Sequence, residues 1–267
     1  AGAVGTYTAT VPATTQAKTV TVTATYNETA TGGNATVEFV PALNLAATTI
    51  TANPTTVKAD GISTSVATVA FKDYAGNPFV VDASKVSLFG NGAVLAGIQD
   101  KGNGVYETTV PARTTAESVA VTAKYDGTQT AGTATVNFVP AVNLAATTIT
   151  ADPATVAANG IATSTATVTF KDYAGNNIAI DPDKLAILLN NNGVTFTSNE
   201  TGVYKVTVPA RTIAETVEVT AMYDGTTVNA SATVSFVPVV NLVATVISAS
   251  PSTVNADGSS TATAKVE

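Results

Sequence analysis

The sequence predicts an all-β protein made of tandem antiparallel β-sandwich domains that together form an extended rod. Three observations predict it: a repeat of nearly one hundred residues, alternation of apolar and polar residues along short segments, and turn residues between those segments. The composition agrees, because Thr, Val and Ala fill these segments and β-branched residues favour strands. We therefore expect short strands and no long amphipathic helix.

The repeat is visible in three copies of one segment. "NLAATTITANP" at Asn44–Pro54 returns as "NLAATTITADP" at Asn143–Pro153 and, more loosely, as "NLVATVISASP" at Asn241–Pro251, with spacings of 99 and 98 residues. A unit of this length is large enough to fold alone, unlike a short solenoid repeat. The one-residue difference falls between Asn77 and Tyr106 and their counterparts, in a stretch rich in Gly and Asn. Loops of this kind tolerate insertions.

The repeat divides the chain into four parts. Residues 43–141 and 142–240 are expected to be two complete domains. Residues 1–42 match the C-terminal half of a repeat, and residues 241–267 match the N-terminal part of a further one. Half a β-sandwich leaves unpaired strand edges and an uncovered apolar face. We therefore expect this chain to be part of a longer array.

Period-two alternation marks strands within each repeat. In the second complete repeat the predicted strands are Thr163–Phe170, Gly202–Ala210, Thr216–Tyr223 and Ala230–Pro238. Turn signals separate the segments, at Asn159-Gly160, Gly175-Asn176, Asn192-Gly193 and Asp224-Gly225. Such short, evenly spaced strands are typical of an antiparallel sandwich with one buried face per sheet. The tyrosines on the apolar faces are expected in the core: Tyr106, Tyr125, Tyr204 and Tyr223.

The composition argues against catalysis and against several kinds of partner. The chain has no His and no Cys, which removes the commonest general base, the thiolate nucleophile and the usual zinc ligands. Charged residues make up only 12%, and the net charge is −7 without a basic cluster. Nucleic acids and anionic membranes attract clustered Lys and Arg. We expect no enzyme activity, no nucleic-acid partner and no membrane insertion in this segment.

The order of short motifs resembles a known family. "TTITADPATVAANGIATSTATVTFKDYAGNNIAID" followed by "GVYKVTVPARTIAETVEVTAMYDG" is similar to bacterial immunoglobulin-like domains of the invasin and intimin type. The similar features are the Ala-Asp-Pro start, the Asn-Gly before a Thr-rich strand, the Lys-Asp-x-x-Gly-Asn turn and the closing Tyr-Asp-Gly. They recur along essentially the whole chain. The resemblance implies tandem domains of a bacterial surface adhesin, extracellular, with stalk or adhesion roles and no catalysis.

One motif of seven residues, FKDYAGN, occurs at Phe71–Asn77 and again at Phe170–Asn176. Its Phe ends an apolar alternation and is expected in the core, and its Gly supplies the positive φ that a turn needs. We interpret the motif as a strand end followed by a turn. A binding role stays open for its polar residues, Lys72, Asp73 and Tyr74 with Lys171, Asp172 and Tyr173, and we expect the Lys and the Asp near the surface.

Calcium is the cofactor that the sequence comes closest to supporting. Asp181 and Asp183 form the densest acidic cluster, but the position of Asp183 is Ser84 in the preceding repeat. A dedicated calcium loop places several carboxylates over about a dozen residues around a Gly, and no such loop is visible. We therefore name Asp181 and Asp183 as weak calcium candidates and predict no catalytic residue and no other cofactor.

The junctions between repeats, "FVPALNLAATTI" and "FVPAVNLAATTI", contain no Gly or Ser spacer. A flexible linker would be a run of Gly and Ser, so we expect stiff joints between neighbouring repeats. The leading functional hypothesis is a non-catalytic stalk that spaces a distal binding region from a bacterial cell. The alternatives are a structural polymer, such as a surface layer or filament, and a module that binds a host-surface or other cell-surface protein or glycan.

Overall fold

The computed structural model describes residues 5–267, which are almost entirely β-strands and turns. The chain divides into two compact units, Ala1–Ala141 and Val142–Glu267, and each is described separately below. Two 3-10 helices of three residues each, Ala83–Lys85 and Pro182–Lys184, interrupt the strands of the described part. No helix among residues 5–267 has the length and apolar character needed to cross a membrane. The all-β prediction is confirmed.

The first unit contains a hairpin and a two-layer sandwich. The hairpin pairs β1 (Lys18–Tyr26) with β2 (Thr29–Phe39) in antiparallel fashion. The sandwich comprises β3 (Thr49–Asn53), β4 (Thr56–Ala59), β5 (Ser65–Ala70), β6 (Val86–Gly90), β7 (Ala93–Leu95), β8 (Gln99–Gly102), β9 (Val105–Val110), β10 (Glu117–Tyr125), β11 (Thr128–Gln129) and β12 (Ala134–Pro140).

The ten sandwich strands of the first unit form two sheets. One sheet has the order β3-β5-β9-β8, and the other has the order β4-β12-β10-β6-β7 with β11 paired to β10. Every pairing is antiparallel except that of β12 with β4, which is parallel. The cis Asn53-Pro54 bond lies between β3 and β4, where the chain passes from one sheet to the other.

The second unit repeats this arrangement. Its strands are β13 (Val142–Asp152), β14 (Thr155–Ala157), β15 (Ser164–Asp172), β16 (Leu185–Leu189), β17 (Asn192–Val194), β18 (Thr197–Glu200), β19 (Val203–Val208), β20 (Glu215–Tyr223), β21 (Thr226–Thr227), β22 (Ala232–Val237), β23 (Ile247–Ser250) and β24 (Thr263–Val266). The sheets are β13-β15-β19-β18 and β14-β22-β20-β16-β17, with β21 on β20, and β23 and β24 form a separate hairpin.

Alternation along the strands produces the core of each sandwich. In β15, alternate residues from Ser164 to Asp172 are buried between the sheets. An aromatic cluster lies at the centre of each core, where the ring of Phe71 lies 5.7 Å from that of Tyr106 and Phe170 lies 5.7 Å from Tyr204. Edge-to-face rings at this distance add to the stabilisation from burial alone. The Tyr106 hydroxyl donates a 2.7 Å hydrogen bond to the Val81 carbonyl, so its polar end is satisfied inside the core.

The sequence-derived strands and turns are mostly confirmed, with one clear error. Strands occupy each of the four predicted segments of the second repeat, although β15 continues two residues further, to Asp172. The predicted turn at Asn192-Gly193 is wrong, because these residues begin β17. The hairpin turns two residues earlier, at Asn190 and Asn191, both of which have positive φ. Asn accepts this left-handed backbone more readily than most residues do.

Replacing the central aromatic ring of one core should destabilise that sandwich strongly. We expect Phe170→Ala to lower the free energy of unfolding of the second sandwich by about 3–5 kcal/mol, because a fully buried ring leaves a cavity. Ile161→Ala is the matched control, since Ile161 is 82% exposed, and it should change stability by less than about 0.5 kcal/mol. Urea unfolding followed by circular dichroism measures both, and similar losses for the two variants would contradict the core position of Phe170.

Candidate functional site

The repeated motif FKDYAGN spans the end of a strand and the turn after it. Phe71 and Phe170 are fully buried, as the alternation predicted. Gly76 and Gly175 have φ values of 87° and 88°, so they provide the left-handed backbone of the turn. Both copies adopt the same hydrogen-bonded conformation, with the Gly76 amide donating to the Asp73 carbonyl and the Gly175 amide donating to Asp172. The turn interpretation is confirmed.

The Asp of the motif is buried, which corrects the expectation that it lies at the surface. Asp73 is 6% exposed and Asp172 is 9% exposed. The Asp73 carboxylate accepts hydrogen bonds from the amides of Ala75 and Asn77, at 2.9 and 2.8 Å, and from the Asn77 side chain at 3.2 Å. Asp172 makes the equivalent three bonds with Ala174 and Asn176. The carboxylate therefore holds the turn closed and has little surface for a ligand.

Hydrogen bonding controls the ionisation of Asp73. Burial alone would raise the pKa of this carboxyl, but the bonds from Asn77 and Ala75 outweigh burial and hold the pKa below its ordinary value. Asp73 is thus charged at neutral pH, and its carboxylate accepts the hydrogen bonds of the turn.

The motif also fastens the segment that leads into each repeat. The Asn44 amide donates to the Lys72 carbonyl at 2.8 Å, and the Tyr74 amide donates to the Ala42 carbonyl at 3.3 Å. In the second unit, the first residues of β13 pair with the same motif, Val142 opposite Asp172 and Asn143 opposite Lys171. The incoming chain is therefore paired from its first residues in both repeats.

The tyrosine of the motif is exposed, and the lysine is half-buried. Tyr74 is 56% exposed and Tyr173 is 38% exposed. Lys171 donates a 2.7 Å hydrogen bond to the Asn177 side chain, whereas the first repeat has Pro78 opposite Lys72. Sequence reasoning predicted the Lys and the Asp at the surface because alternation does not show that the turn folds back over the Asp.

Asp181 and Asp183, the weak calcium candidates, lie at a short 3-10 helix. Asp181 caps the helix by accepting a 3.1 Å bond from the Asp183 amide, and Asp82 accepts the same bond from Ser84 in the first repeat. Among residues 5–267, no three acidic side chains gather into a group that could hold a metal ion. The cap accounts for Asp181 without a metal, and calcium binding stays a prediction.

A second carboxylate-bearing loop joins the strands β4 and β5. Asp60 accepts bonds from the Ile62 amide at 2.9 Å and from the Ser63 amide and hydroxyl at 2.7 Å. In the second repeat Asn159 takes the same position and accepts from the amides of Ile161 and Ala162, both at 2.9 Å. These loops stabilise the backbone by the same local bonds, but only the first contains a titratable group.

A family model matches each of the two complete repeats separately. A model of the family described as invasin, domain 3, matches residues 44–141 and 143–239. A search of curated proteins found no match.

Among solved structures, invasin, described as a bacterial integrin-binding protein, is 24% identical with a TM-score of 0.56, over 84% of this chain and 46% of that chain. The Escherichia coli adhesin FdeC is 24% identical with a TM-score of 0.49, over 79% of this chain and 70% of that chain. InvD of Yersinia pseudotuberculosis is 21% identical with a TM-score of 0.43, over 77% of this chain and 63% of that chain. The similarity to invasin shows a shared fold, and the chain spans less than half of that protein's length.

The loops at Asp60 and Asn159 should respond differently to acid. The Ser63 amide, the Ser63 hydroxyl and the Ile62 amide lower the pKa of Asp60 from 3.8 to about 2. Because this pKa is depressed on folding, the ionised group stabilises the loop above about pH 4, and the stabilisation is lost as the pH falls through about 2. In an NMR titration from pH 5 to 1.5, the Ser63 amide signal should move while the Ala162 amide stays in place.

Asp60→Asn provides the matched control for this titration, because it installs in the first repeat the residue that the second repeat has. The variant should abolish the movement of the Ser63 signal below pH 4. Parallel movement of the Ser63 and Ala162 signals in the native chain would contradict the assignment to Asp60.

Proposed function

The chain belongs to the invasin domain 3 family, and on that premise we propose that it is a non-catalytic stalk segment of a bacterial cell-surface protein. Its immunoglobulin-like domains would space a distal binding region from the cell. We propose the same four parts that the repeat predicts, two complete domains at 43–141 and 142–240 flanked by partial repeats at 1–42 and 241–267.

The observation that supports this role is the pairing of the incoming segment with the motif turn. A free linker has no hydrogen-bond partners and lets domains reorient. At the start of the first complete repeat, the segment containing Asn44 forms backbone hydrogen bonds with the motif turn. At the start of the second, Val142 and Asn143 are already part of β13. Each repeat thus begins without an unpaired spacer, and we propose that the joints between repeats resist bending.

The polar surface fits a stalk that stays separate from its copies. The sheets expose Thr and small residues on their outer faces, and the chain has a net charge of −7. Net charge of one sign opposes self-association. We propose that the partners of this segment are the neighbouring repeats, and that recognition of a host-surface or other cell-surface protein or glycan is the purpose of the assembled adhesin at the outside of the cell.

Stiffness of the joint can be measured by electron paramagnetic resonance. The chain contains no native cysteine, so Thr135→Cys and Thr233→Cys, at equivalent exposed positions of the two repeats, can both be spin-labelled. We expect a narrow distribution of label distances in the otherwise native chain. Insertion of Gly-Ser-Gly-Ser after Ala141 is the comparison variant and should broaden the distribution. An equally broad distribution before insertion would contradict a stiff joint.

Small-angle scattering of the full chain tests the stalk against a self-assembling polymer. A single compact domain of this length would have a radius of gyration of about 18 Å. We expect a value clearly above this, and it should not depend on protein concentration. Growth of the scattering particle with concentration would favour the surface-layer or filament alternative and would overturn the stalk proposal.

A further inference from the structure

The two complete repeats differ in length in the segment that crosses from β7 to β8 and, in the second repeat, from β17 to β18. In the first repeat two residues, Ala96 and Gly97, separate the last residue of β7 from Ile98, which packs against the core. In the second repeat a single residue, Thr195, separates β17 from Phe196, which packs against its core in the same way. The one-residue difference between the repeats therefore lies in this crossing segment.

In the first repeat the crossing segment is fastened onto β9. The hydroxyl of the buried Thr108 donates a 2.6 Å hydrogen bond to the Ala96 carbonyl, and the cleft bordered by Gly97, Glu107 and Thr108 has a volume of only about 100 Å³. The second repeat has Val206 at the position of Thr108, and its side chain is buried and cannot donate. There the crossing segment and β19 border a groove of about 520 Å³, which falls within the ~300–1,000 Å³ of typical ligand sites.

Hydroxyl groups line this space, which we name the threonine groove and define by Thr165, Thr195, Thr197 and Thr207 together with Lys205. Thr165 lies opposite Thr207 on the outer face of β15 and β19, and Thr197 lies opposite Lys205. Each Thr hydroxyl can both donate and accept a hydrogen bond. A row of such groups matches a ligand that itself carries several hydroxyls.

Apolar groups complete the lining. Val194, Phe196 and Pro209 border the groove, and the ring of Phe196 is half-buried with its centre 5.6 Å from the Tyr204 ring. A fixed aromatic ring loses little conformational entropy when a ligand packs on it. A sugar ring offers the required combination, since it presents hydroxyls at its edge and carbon-bound hydrogens on its face.

The charge of the groove distinguishes it from its counterpart. The position of Lys205 is Glu107 in the first repeat, where Glu107 pairs with Lys101 at 3.5 Å. None of the ion pairs formed within residues 5–267 involves Lys205. Lys205 is thus the one charged group in the lining of the groove, and it favours a ligand that carries a carboxylate.

We propose that the threonine groove of the second repeat binds a carboxylated sugar, with Lys205 pairing with the carboxylate and the threonines bonding to the sugar hydroxyls. The first repeat does not bind this sugar, because the hydrogen bond from Thr108 holds the crossing segment against β9 and Glu107 repels an anion. This site adds lateral glycan recognition to a segment whose proposed role is mechanical, and it does not depend on that role.

The test is an NMR titration of the isotope-labelled full chain with N-acetylneuraminic acid and, separately, with glucuronic acid. We expect saturable shifts of the methyl and amide signals of Thr165, Thr195 and Thr207, with a dissociation constant on the order of 1 mM. Binding of either acid supports the proposal, and the tighter of the two identifies the source of the carboxylate. Galactose and glucose, which lack a carboxylate, should bind at least about tenfold more weakly.

Two variants exchange residues of the second repeat for those of the first. Lys205→Glu should weaken binding by at least about tenfold, because it replaces an attraction with a repulsion. Val206→Thr should abolish the shifts by closing the groove, and the spectrum of each variant shows directly whether it is folded. Absence of saturable shifts in the native chain, equal binding of neutral sugars, equal shifts at Glu107 and Thr109, or unchanged binding by Lys205→Glu would each overturn the proposal.

Discussion

The buried carboxylate of Asp73 and Asp172 is the constraint on which each repeat depends. Each carboxylate binds two backbone amides and one side-chain amide, so the turn after the strand is closed from inside. A turn fixed in this way presents its outer backbone groups in constant positions, where Lys72 and Tyr74 bond the incoming chain. An interaction inside one loop thereby determines how the polypeptide enters the domain, and this connects local chemistry to the proposed mechanical role.

Much of the fold could be predicted from sequence because two of its causes are local. Alternation shows which side of a strand is buried, and Gly or Asn-Gly pairs show where the backbone reverses, as at Gly76 and Gly175. The short strands β7, β8, β17 and β18 were missed because each has only three or four residues, too few for alternation to be recognised, although each pairs with a neighbouring strand in a hairpin. The burial of Asp73 was also missed, because it follows from the turn folding over its own side chain.

The same limits of sequence reasoning apply to the candidate sites. Asp181 and Asp183 lie two residues apart in sequence and look like a pair of ligands, but the Asp181 carboxylate accepts a hydrogen bond from the Asp183 amide. The threonine groove, in contrast, combines β15 and β19 with a crossing segment, and no short motif contains it. Its sequence signal is a difference between repeats, Val206 for Thr108 and Lys205 for Glu107, which becomes meaningful only when the strands are placed side by side.

The repeats show how the proposed groove can be present in one domain and absent from the other while the fold is kept. The crossing segment is anchored by Ile98 in one core and by Phe196 in the other, so its hydrophobic contact is preserved whether one residue or two precede it. The hydrogen bond from Thr108 to Ala96 stabilises the segment in addition to the packing of Ile98. A neutral hydrogen bond contributes only about 1 kcal/mol. Loss of this bond is a small cost beside the burial of Phe196. The surface between β19 and the crossing segment can therefore vary from repeat to repeat, while Asp73 and Asp172 keep the ends of the domains constant.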